Sequence, residues 1–322
     1  MVRHGSRALV ALSSVLLCAA CAAATPSASQ TPTTVPATPA PTASTTPSTT
    51  PSATPEPTPE PSPSESLTEA IDLTKFSDPT TIDNPWFPLA PGQRRTFTGA
   101  ATIDGERLSR KVVLTITDLT KEISGIRSVV GYEVDYTDGV LGEAEIVLWA
   151  QDDDGVVWRM GEYPEVYEDG ELVETPVWIH GFEDALAGIA MQPNPQLSTP
   201  SYAEGWGPAV QWNDRGRVFE VGSETCVRAG CYKDVLVIDE FNPDEPDAHQ
   251  LKYYAKGVGG VRVGWAGSRE EEQEVLGLVK METLGNAALG RVRAQVLAQD
   301  ARGYKTSPNV YGKTPPIAAP AG

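Results

Sequence analysis

The sequence predicts a mainly β protein, built as an antiparallel meander that forms a curved sheet or half-barrel, with one docking helix near the C-terminus. Two observations support this prediction. Apolar and polar residues alternate at a period of two over short segments, which is typical of strands with one buried face. Gly, Asp and Pro residues separate these segments, which favours hairpin turns between neighbouring strands.

The clearest strands are predicted between residues 111 and 162. Val112, Leu114 and Ile116 share one face of KVVLTITD, and VVGYEVDYTDG alternates in the same way. The stretch EAEIVLWAQDDDGVVWRMGE predicts two strands joined by a tight turn at Asp153–Gly155. Further strands are predicted at Val218–Gly222, Asp234–Glu240, Leu251–Ala255, Val261–Ala266 and Val275–Leu284.

Two stretches have helical character. Gly181–Ala190 predicts a short helix that ends before the prolines of MQPNP. Ala287–Arg302 predicts a longer helix that docks on the sheet. Its apolar stripe at helical spacing consists of Leu289, Val292, Val296 and Leu297. We therefore divide the folded part into a β domain at 67–286 and a helix with a mobile tail at 287–322, the tail being TPPIAAPAG.

The first twenty residues have the features of a secretory signal peptide. Arg3 and Arg7 give a positive start, and the apolar run Ala8–Ala20 follows. Crossing a bilayer takes roughly 20 apolar residues, so this run is too short to be a membrane span. Residues 1–20 are therefore predicted to be a signal that directs export.

The next residues resemble the lipobox of bacterial lipoproteins, in which small residues precede a cysteine that is acylated. Ala19–Ala20 and Cys21 match that pattern. The resemblance implies that Cys21 carries the lipid and holds the protein on the outer face of the cell membrane. Cys18 departs from the pattern, because a leucine is usual there, and Leu17 is too bulky for Cys18 to be the lipidated residue. A plain signal peptide, cut a few residues later and leaving no anchor, is the alternative.

Residues 21–66 begin with the cysteine and continue as a low-complexity tether. Thr, Pro, Ala and Ser make up almost all of it, and Glu56, Glu60 and Glu65 are its charged residues. Such a composition buries too little apolar surface to fold, so we predict disorder. In extended polyproline II form, about 45 residues reach on the order of 100 Å. An O-glycosylated stalk and an unmodified spacer are both open.

The charge of the chain excludes some partners. The net charge is −18, and nearly all of it follows residue 66. Nucleic-acid binding needs clustered Lys and Arg for phosphate contacts, so we predict no nucleic-acid partner. Anionic membrane surfaces are disfavoured for the same reason. The membrane is therefore expected to be a partner only through the lipid anchor.

Three stretches together resemble a family of exported bacterial proteins, many of them lipoproteins, that has no assigned activity. They are NPWFPLAPG at 84–92, WAQDDDGVVWRMGE at 149–162 and YYAKGVGGV at 253–261. The resemblance covers most of residues 75–285 and implies an antiparallel β fold without a mechanism. Gly260 departs from the family, which has an apolar residue there, and indicates a bulge or a looser edge strand. NPWFPLAPG is interpreted as a plug over one end of the sheet or as a ligand lid.

Cys226 and Cys231 are predicted to form a disulfide. Only a short turn separates them, and exported proteins commonly pair such cysteines. A loop of this length stabilises the fold by about 2 kcal/mol. Redox catalysis favours a Cys-x-x-Cys spacing, which differs from the one here.

The sequence predicts no catalytic residues, no cofactor and no metal ligands. His180 and His249 are the histidines after the signal, and His180 is interpreted as a packed side chain. No Gly-x-Ser-x-Gly motif is present. Asp152–Asp154 lacks the distant Glu of a calcium loop and is interpreted as a solvated turn. The run Glu270, Glu271, Glu272 and Glu274 is interpreted as an exposed loop or as the charged start of a strand.

The functional hypothesis is a binding module for a lipid, a glycan or an envelope protein. A secreted hydrolase based on a carboxylate pair, or a purely structural envelope protein, are the alternatives. An apolar cavity lined by Trp and Tyr favours the binder, and two convergent buried carboxylates favour the enzyme. The residues to test for binding are Trp86, Phe87, Trp149, Trp158, Trp178, Tyr253 and Tyr254.

Overall fold

The computed structural model describes residues 66–319. The predicted signal peptide, Cys21 and nearly all of the tether lie outside these residues, as do the last three residues of the tail. Within the described range the chain forms an open, curved antiparallel sheet with one C-terminal α-helix, which confirms the predicted fold class. In that range, no helix is long and apolar enough to cross a membrane.

Between residues 66 and 319 the sheet has fifteen strands. They are β1 (Gln93–Ile103), β2 (Glu106–Ile123), β3 (Ile126–Thr137), β4 (Val140–Gln151), β5 (Val157–Glu168), β6 (Glu171–Glu174), β7 (Trp178–Ile179), β8 (Leu186–Met191), β9 (Tyr202–Ala203), β10 (Gly205–Trp206), β11 (Arg215–Val227), β12 (Gly230–Phe241), β13 (His249–Ala255), β14 (Gly259–Ala266) and β15 (Val275–Thr283).

The strand order is β10-β8-β5-β4-β3-β2-β1-β15-β14-β13-β12-β11-β9, with β6 and β7 also paired to β5. Most neighbours in the sheet are neighbours in sequence, as expected of a meander. The two outermost strands, β10 and β9, are separated in the chain by Glu204 alone. The segment Tyr202–Trp206 therefore contacts both edges of the curved sheet.

All strands that were predicted from alternation are present, and most are longer than predicted. The turn at Asp153–Gly155 joins β4 to β5 as expected. Gly260 lies opposite Tyr254 at a register shift between β13 and β14, which confirms a bulge. The idea of an edge strand there is wrong, because β14 lies between β13 and β15.

The prediction of a helix at Gly181–Ala190 is wrong. A turn after His180 leads into β8, which pairs with β5 and β10. The apolar run Leu186–Met191 is buried from Ala187 onward. A short apolar run fits a buried strand as well as a helix, and here the exposed edge of β5 decided the outcome.

One face of the sheet is covered by α1 (Asn286–Thr306) and is the convex face. Val292 and Val296 pack there against Val130, Ile146 and other outward residues of β2 to β5. Leu289 is also buried, as predicted, but Leu297 is 40% exposed and does not belong to the docking stripe.

The tail beyond α1 packs on the sheet up to Ala318, where we had expected mobility from Thr314. Backbone hydrogen bonds join Thr120 N to Ala318 O at 3.2 Å and Ala318 N to Thr120 O at 2.8 Å. Tyr311 and Ile317 are buried in the core of the convex face. The burial of these apolar side chains holds a segment that its Pro and Ala content marks as irregular.

Candidate functional site

The opposite face of the sheet is concave, because side chains from β1 to β5 and from β12 to β14 line one common cavity. Its volume is about 70 Å³, which is room for about five ordered water molecules. A wider groove of about 260 Å³ opens to solvent beside the C-terminal end of α1, lined among others by Thr175, Glu183 and Asn309. None of the residues predicted from the sequence lines that groove, so the concave cavity is the candidate site.

Aromatic side chains form one wall of the cavity. The ring of Phe87 meets the ring of Trp149 edge-on, with centroids 5.8 Å apart, and lies 6.2 Å from the ring of Tyr254. Gly131 on β3 makes room for this wall, because a Cβ there would lie 2.2 Å from the indole of Trp149. The wall is therefore aromatic, with its rings tilted against one another.

The segment NPWFPLAPG is fastened over the cavity by hydrogen bonds to its backbone. Gly257 N donates to Pro85 O at 2.7 Å. Arg95 Nη2 donates to Pro88 O at 2.7 Å and to Val258 O at 2.8 Å. These contacts support the interpretation of the segment as a plug, and its Phe87 also forms part of the cavity wall.

Charged side chains occupy the rest of the lining. Arg159 Nε lies 3.2 Å from Glu162 Oε1, and Arg159 Nη1 lies 3.9 Å from Glu204 Oε2. Lys252 Nζ pairs with Glu240 Oε2 at 2.7 Å. Burial raises the pKa of Glu204 well above its usual range, and the charge of Glu240 adds to the effect. A ligand in the cavity therefore meets both carboxylates and cations.

Several buried polar atoms beside the cavity have no hydrogen-bond partner among residues 66–319. They include Trp149 Nε1, Arg95 Nε and Glu145 Oε1. Burial also lowers the pKa of Arg95 to about 10. Buried polar atoms in folded proteins nearly always have a partner, so these three atoms need an explanation.

The structure brings three of the seven predicted aromatic residues into the cavity lining, namely Phe87, Trp149 and Tyr254. Trp86 is buried beside them in the same apolar cluster. Tyr253 lies on the other face of β13 from Tyr254, as strand alternation predicts, and Arg262 stacks over its ring.

The remaining two tryptophans lie away from the cavity lining. Trp158 Nε1 donates to Asp152 Oδ2 at 2.9 Å on the convex side. Trp178 stacks on Trp212 with centroids 4.5 Å apart, and its Nε1 donates to Glu162 Oε2 at 2.8 Å. Both are structural in this geometry.

The other residues singled out from the sequence have structural contacts. Cys226 and Cys231 form the predicted disulfide, with an S–S distance of 2.06 Å, at the end of the β11–β12 hairpin. His180 is buried, and its Nδ1 accepts a hydrogen bond from Ala187 N at 3.1 Å. Burial lowers the pKa of His180, as expected of a packed neutral imidazole.

The acidic runs are also accounted for. Asp152 Oδ1 accepts from the backbone N–H groups of Asp154 and Val156, so it serves the turn. Glu270 and Glu274 are buried, which corrects the expectation of an exposed loop. Across residues 66–319, no group of three His, Cys, Asp or Glu side chains is placed to hold a metal ion.

Sequence reasoning missed the charged lining of the cavity, notably Arg95, Glu133, Arg159, Glu240 and Lys252. Each lies in an alternating strand at a position that looks solvent-exposed. The one available signal was that the apolar residues of these strands already form a continuous buried face, to which the charged residues do not belong. Only the curvature of the sheet around the cavity shows that the face carrying these charged residues is buried as well.

No protein-family description and no curated protein matches this chain. Two solved structures are similar to it. One, from Bacteroides fragilis, is described as an exported protein with a YmcC-like fold. It is 14% identical with a TM-score of 0.35, over 61% of this chain and 98% of that chain. The other, from Parabacteroides distasonis, is described as a lipoprotein and is 11% identical with a TM-score of 0.33, over 64% of this chain and 100% of that chain.

Proposed function

We propose that this chain is an exported envelope lipoprotein, anchored through Cys21, whose β domain binds a small ligand in the concave cavity. The ligand has an apolar or ring-shaped part that packs on Phe87, Trp149 and Tyr254, and a polar part that reaches the charged lining. The tether at residues 22–66 holds the β domain away from the membrane.

The observation that carries the binding proposal is the indole N–H of Trp149 at the wall of the cavity, which has no hydrogen-bond partner among residues 66–319. A buried tryptophan usually finds an acceptor for this group. Leaving a buried donor unsatisfied costs about 1–3 kcal/mol. An acceptor atom on a bound ligand removes that cost, and the neighbouring Arg95 Nε offers a second donor for the same purpose.

A purely structural role explains this lining less well. A structural sheet gains stability from apolar packing on its concave face, whereas this face contains Arg95, Arg159 and Lys252. Arg159 and Lys252 are ion-paired, but burying a charge costs several kcal/mol per ion even so, and apolar side chains of similar volume often stabilise a fold as well or better. Such groups are more commonly retained at functional sites.

The test of binding is recovery of a ligand from the natural protein. The full chain is purified from its own membrane fraction, washed and extracted, and the released small molecules are measured by mass spectrometry. The wild type is expected to release a compound that Trp149→Phe releases in much smaller amounts. Trp265→Phe, which changes an exposed tryptophan on β14, is the matched control and should behave as the wild type. Equal recovery from all three proteins would contradict binding in this cavity.

The test of the anchor is the intact mass of the same preparation. Two or three acyl chains on Cys21 are expected, because stable attachment takes more than one chain. Cys21→Ala should appear in the soluble fraction. An unacylated chain that begins a few residues after Cys21 would contradict the lipoprotein proposal and leave the binding proposal unaffected.

A carboxylate-based hydrolase is the second candidate, since Glu133 and Glu240 line the same cavity. Glu240 Oε2 is paired with Lys252 Nζ at 2.7 Å, which fixes the position of that carboxylate at the cavity wall. The enzyme alternative predicts that Glu133→Gln accumulates an intact compound that the wild type releases only as fragments. Identical compounds from both proteins would rule it out.

A further inference from the structure

Arg95 on β1 is a buried cation in the wall of the concave cavity. Its Nη2 donates to Pro88 O at 2.7 Å and to Val258 O at 2.8 Å, so two backbone carbonyl groups hold the guanidinium in place. Gly259 makes room for it, because a Cβ there would lie 2.9 Å from Arg95 Nη2. The position of this charge is therefore fixed by the fold.

Arg95 differs from two other cations of the same lining in its partners. Lys252 Nζ lies 2.7 Å from Glu240 Oε2, and Arg159 Nε lies 3.2 Å from Glu162 Oε1. The hydrogen bonds of Arg95 go to neutral carbonyl groups, and no carboxylate between residues 66 and 319 pairs with it. Within that range, its positive charge has no counter-ion.

The ionisation of these groups agrees with this difference. Burial lowers the pKa of Arg95 to about 10, and the side chain that opposes the fall is Tyr254. Burial raises the pKa of Tyr254 well above its ordinary value, so its hydroxyl is neutral at pH 7 and supplies no negative charge. Burial alone would lower the pKa of Arg159 as well, but the charges of Glu162 and Glu204 raise it.

Two donors in this lining have no acceptor in the described part of the chain, namely Arg95 Nε and Trp149 Nε1. Each of these residues is 3% exposed. Buried polar atoms nearly always have a hydrogen-bond partner, and buried charges are normally paired. The missing partner is therefore an acceptor, and it carries negative charge because one of the two donors belongs to a cation.

A carboxylate has the properties of this missing partner. When ionised it only accepts hydrogen bonds, and it does so through two oxygens. Its single negative charge matches the single positive charge of Arg95. A phosphate monoester carries about −1.5 to −2 at pH 7, so part of its charge would be buried without a counter-ion.

We infer that the cavity ligand is a small organic acid, whose carboxylate accepts hydrogen bonds from Arg95 Nε and Trp149 Nε1. Its apolar body packs on the rings of Phe87 and Tyr254, which belong to the same wall. This inference rests on the proposed function and names the chemical class of its ligand. The cavity then prefers an anion although the chain as a whole has a net charge of −18.

The test uses three probes on the full-length protein: benzoate, its neutral isostere benzamide, and benzylamine, which is cationic at pH 7. Binding is measured by isothermal titration at pH 7 after extraction of any resident ligand. Benzoate should bind the wild type roughly tenfold more tightly than benzamide, because hydrogen bonds between charged groups are about twice as strong as neutral ones. Benzylamine should bind more weakly than benzamide, since its charge has the same sign as that of Arg95.

Two variants separate the charge from the hydrogen bond. Arg95→Gln should reduce the affinity for benzoate to that for benzamide, because the charge is lost. Trp149→Phe removes a donor that serves both probes, so it should weaken both by a similar factor and keep their ratio. Arg107→Gln, which changes an exposed arginine on β2, is the control and should match the wild type. Equal weakening of both probes by Arg95→Gln would mean that Arg95 only holds the plug segment, and would overturn the inference.

The outcomes also separate this inference from the proposed function. Equal affinity for benzoate and benzamide, or tighter binding of benzylamine, would overturn the carboxylate inference while the cavity remains a binding site. Binding of none of the three probes would count against both. The comparison of the probes on the wild type needs no variant, so it decides the question even if Arg95→Gln fails to fold.

Discussion

On the convex face of the sheet, Lys121 is buried and its ammonium group has three hydrogen-bond acceptors. Lys121 Nζ contacts Asp300 Oδ1 at 3.0 Å, Tyr304 OH at 3.1 Å and Pro315 O at 2.7 Å. On the concave face, Arg95 and Trp149 are also buried, yet Arg95 Nε and Trp149 Nε1 have no partner within residues 66–319. The two faces share the same strands and differ in what covers them.

The comparison shows that one curved sheet can have a face whose buried polar groups are satisfied and an opposite face on which some of them, among residues 66–319, are not. The chain's own helix and tail cover the convex face, and their polar groups form hydrogen bonds and ion pairs with polar groups of β2 and β5. The concave face is completed by the plug segment, which leaves a cavity and unmatched donors and acceptors. Four predictions test this contrast, beginning with the largest expected effect.

Removal of the buried cation on the convex face should be the most damaging change. Lys121→Ala leaves Asp300 buried without its ion pair, and breaking such a pair typically costs 3–5 kcal/mol. Urea denaturation followed by circular dichroism measures the loss. Lys233→Ala is the control, since Lys233 and its partner Glu224 are exposed and such pairs contribute about 0–1 kcal/mol. Similar losses for both variants would mean that Lys121 contributes no more than a surface charge.

The second prediction concerns the acids of the concave side. Burial raises the pKa of Glu274 from its ordinary 4.5 to about 7, although the neighbouring Arg110 opposes the rise. The folded state therefore holds this proton more tightly than the unfolded state, so stability is full below pH 4.5 and falls as the pH rises to 7. The loss is on the order of 3 kcal/mol at 1.36 kcal/mol per pKa unit.

The measurement is the free energy of unfolding at pH 5 and pH 8 for the wild type and Glu274→Gln. In Glu274→Gln, the free energy of unfolding should decrease much less between pH 5 and pH 8 than it does in the wild type. Glu165 on the convex side gives the opposite sign. Burial alone would raise its pKa, but hydrogen bonds from Arg302, Tyr167 and Tyr163 lower it. Its contribution is therefore present at neutral pH and is lost in acid as the pH falls through that lowered pKa. Glu165→Gln should leave the decrease between pH 5 and pH 8 intact.

The third prediction tests how tightly α1 is seated on the convex face. Gly303 lies against two rings, and a Cβ there would be 2.5 Å from Tyr311 Cδ1 and 2.8 Å from Tyr163 Cε1. Gly303→Ala should cost about 1–3 kcal/mol through overpacking. Gly290→Ala, in the same helix with nothing within 4 Å, should instead stabilise the protein by roughly 0.5–1 kcal/mol. Thermal melting distinguishes the two, and equal signs would mean that the helix is loosely seated.

The smallest effect compares two buried tryptophans on opposite faces, in protein freed of ligand. Trp158→Phe loses the hydrogen bond to Asp152, whereas Trp149→Phe removes an N–H that has no partner in the described chain. Trp158→Phe should therefore be the more destabilising by about 1 kcal/mol. Equal losses in urea denaturation would indicate that the indole N–H of Trp149 is satisfied after all, and would weaken the binding proposal.

The sequence predictions succeeded where the interactions are local in the chain and failed where they join residues far apart in the chain. Strands β2 to β5 were predicted because alternation is a local property, and the helix was predicted because its stripe repeats within two turns. The failure at residues 181–190 has a nonlocal cause, since a short apolar run becomes a strand only when an edge such as that of β5 is available. The tail at residues 314–318 packs for the same kind of reason.

The sequence by itself determined most of the long strands, their arrangement as an antiparallel meander, the docking helix and the spacing of the Cys226–Cys231 disulfide, and it predicts the export signal and the lipid anchor at Cys21. Only the tertiary structure decided that Glu133, Glu145, Arg159 and Lys252 share the concave face with Phe87, Trp149 and Tyr254. A period of two states that a strand has two faces, but it does not state which face is enclosed. That is decided when distant strands curve around a common cavity, because burial and charge proximity there depend on contacts far apart in the chain.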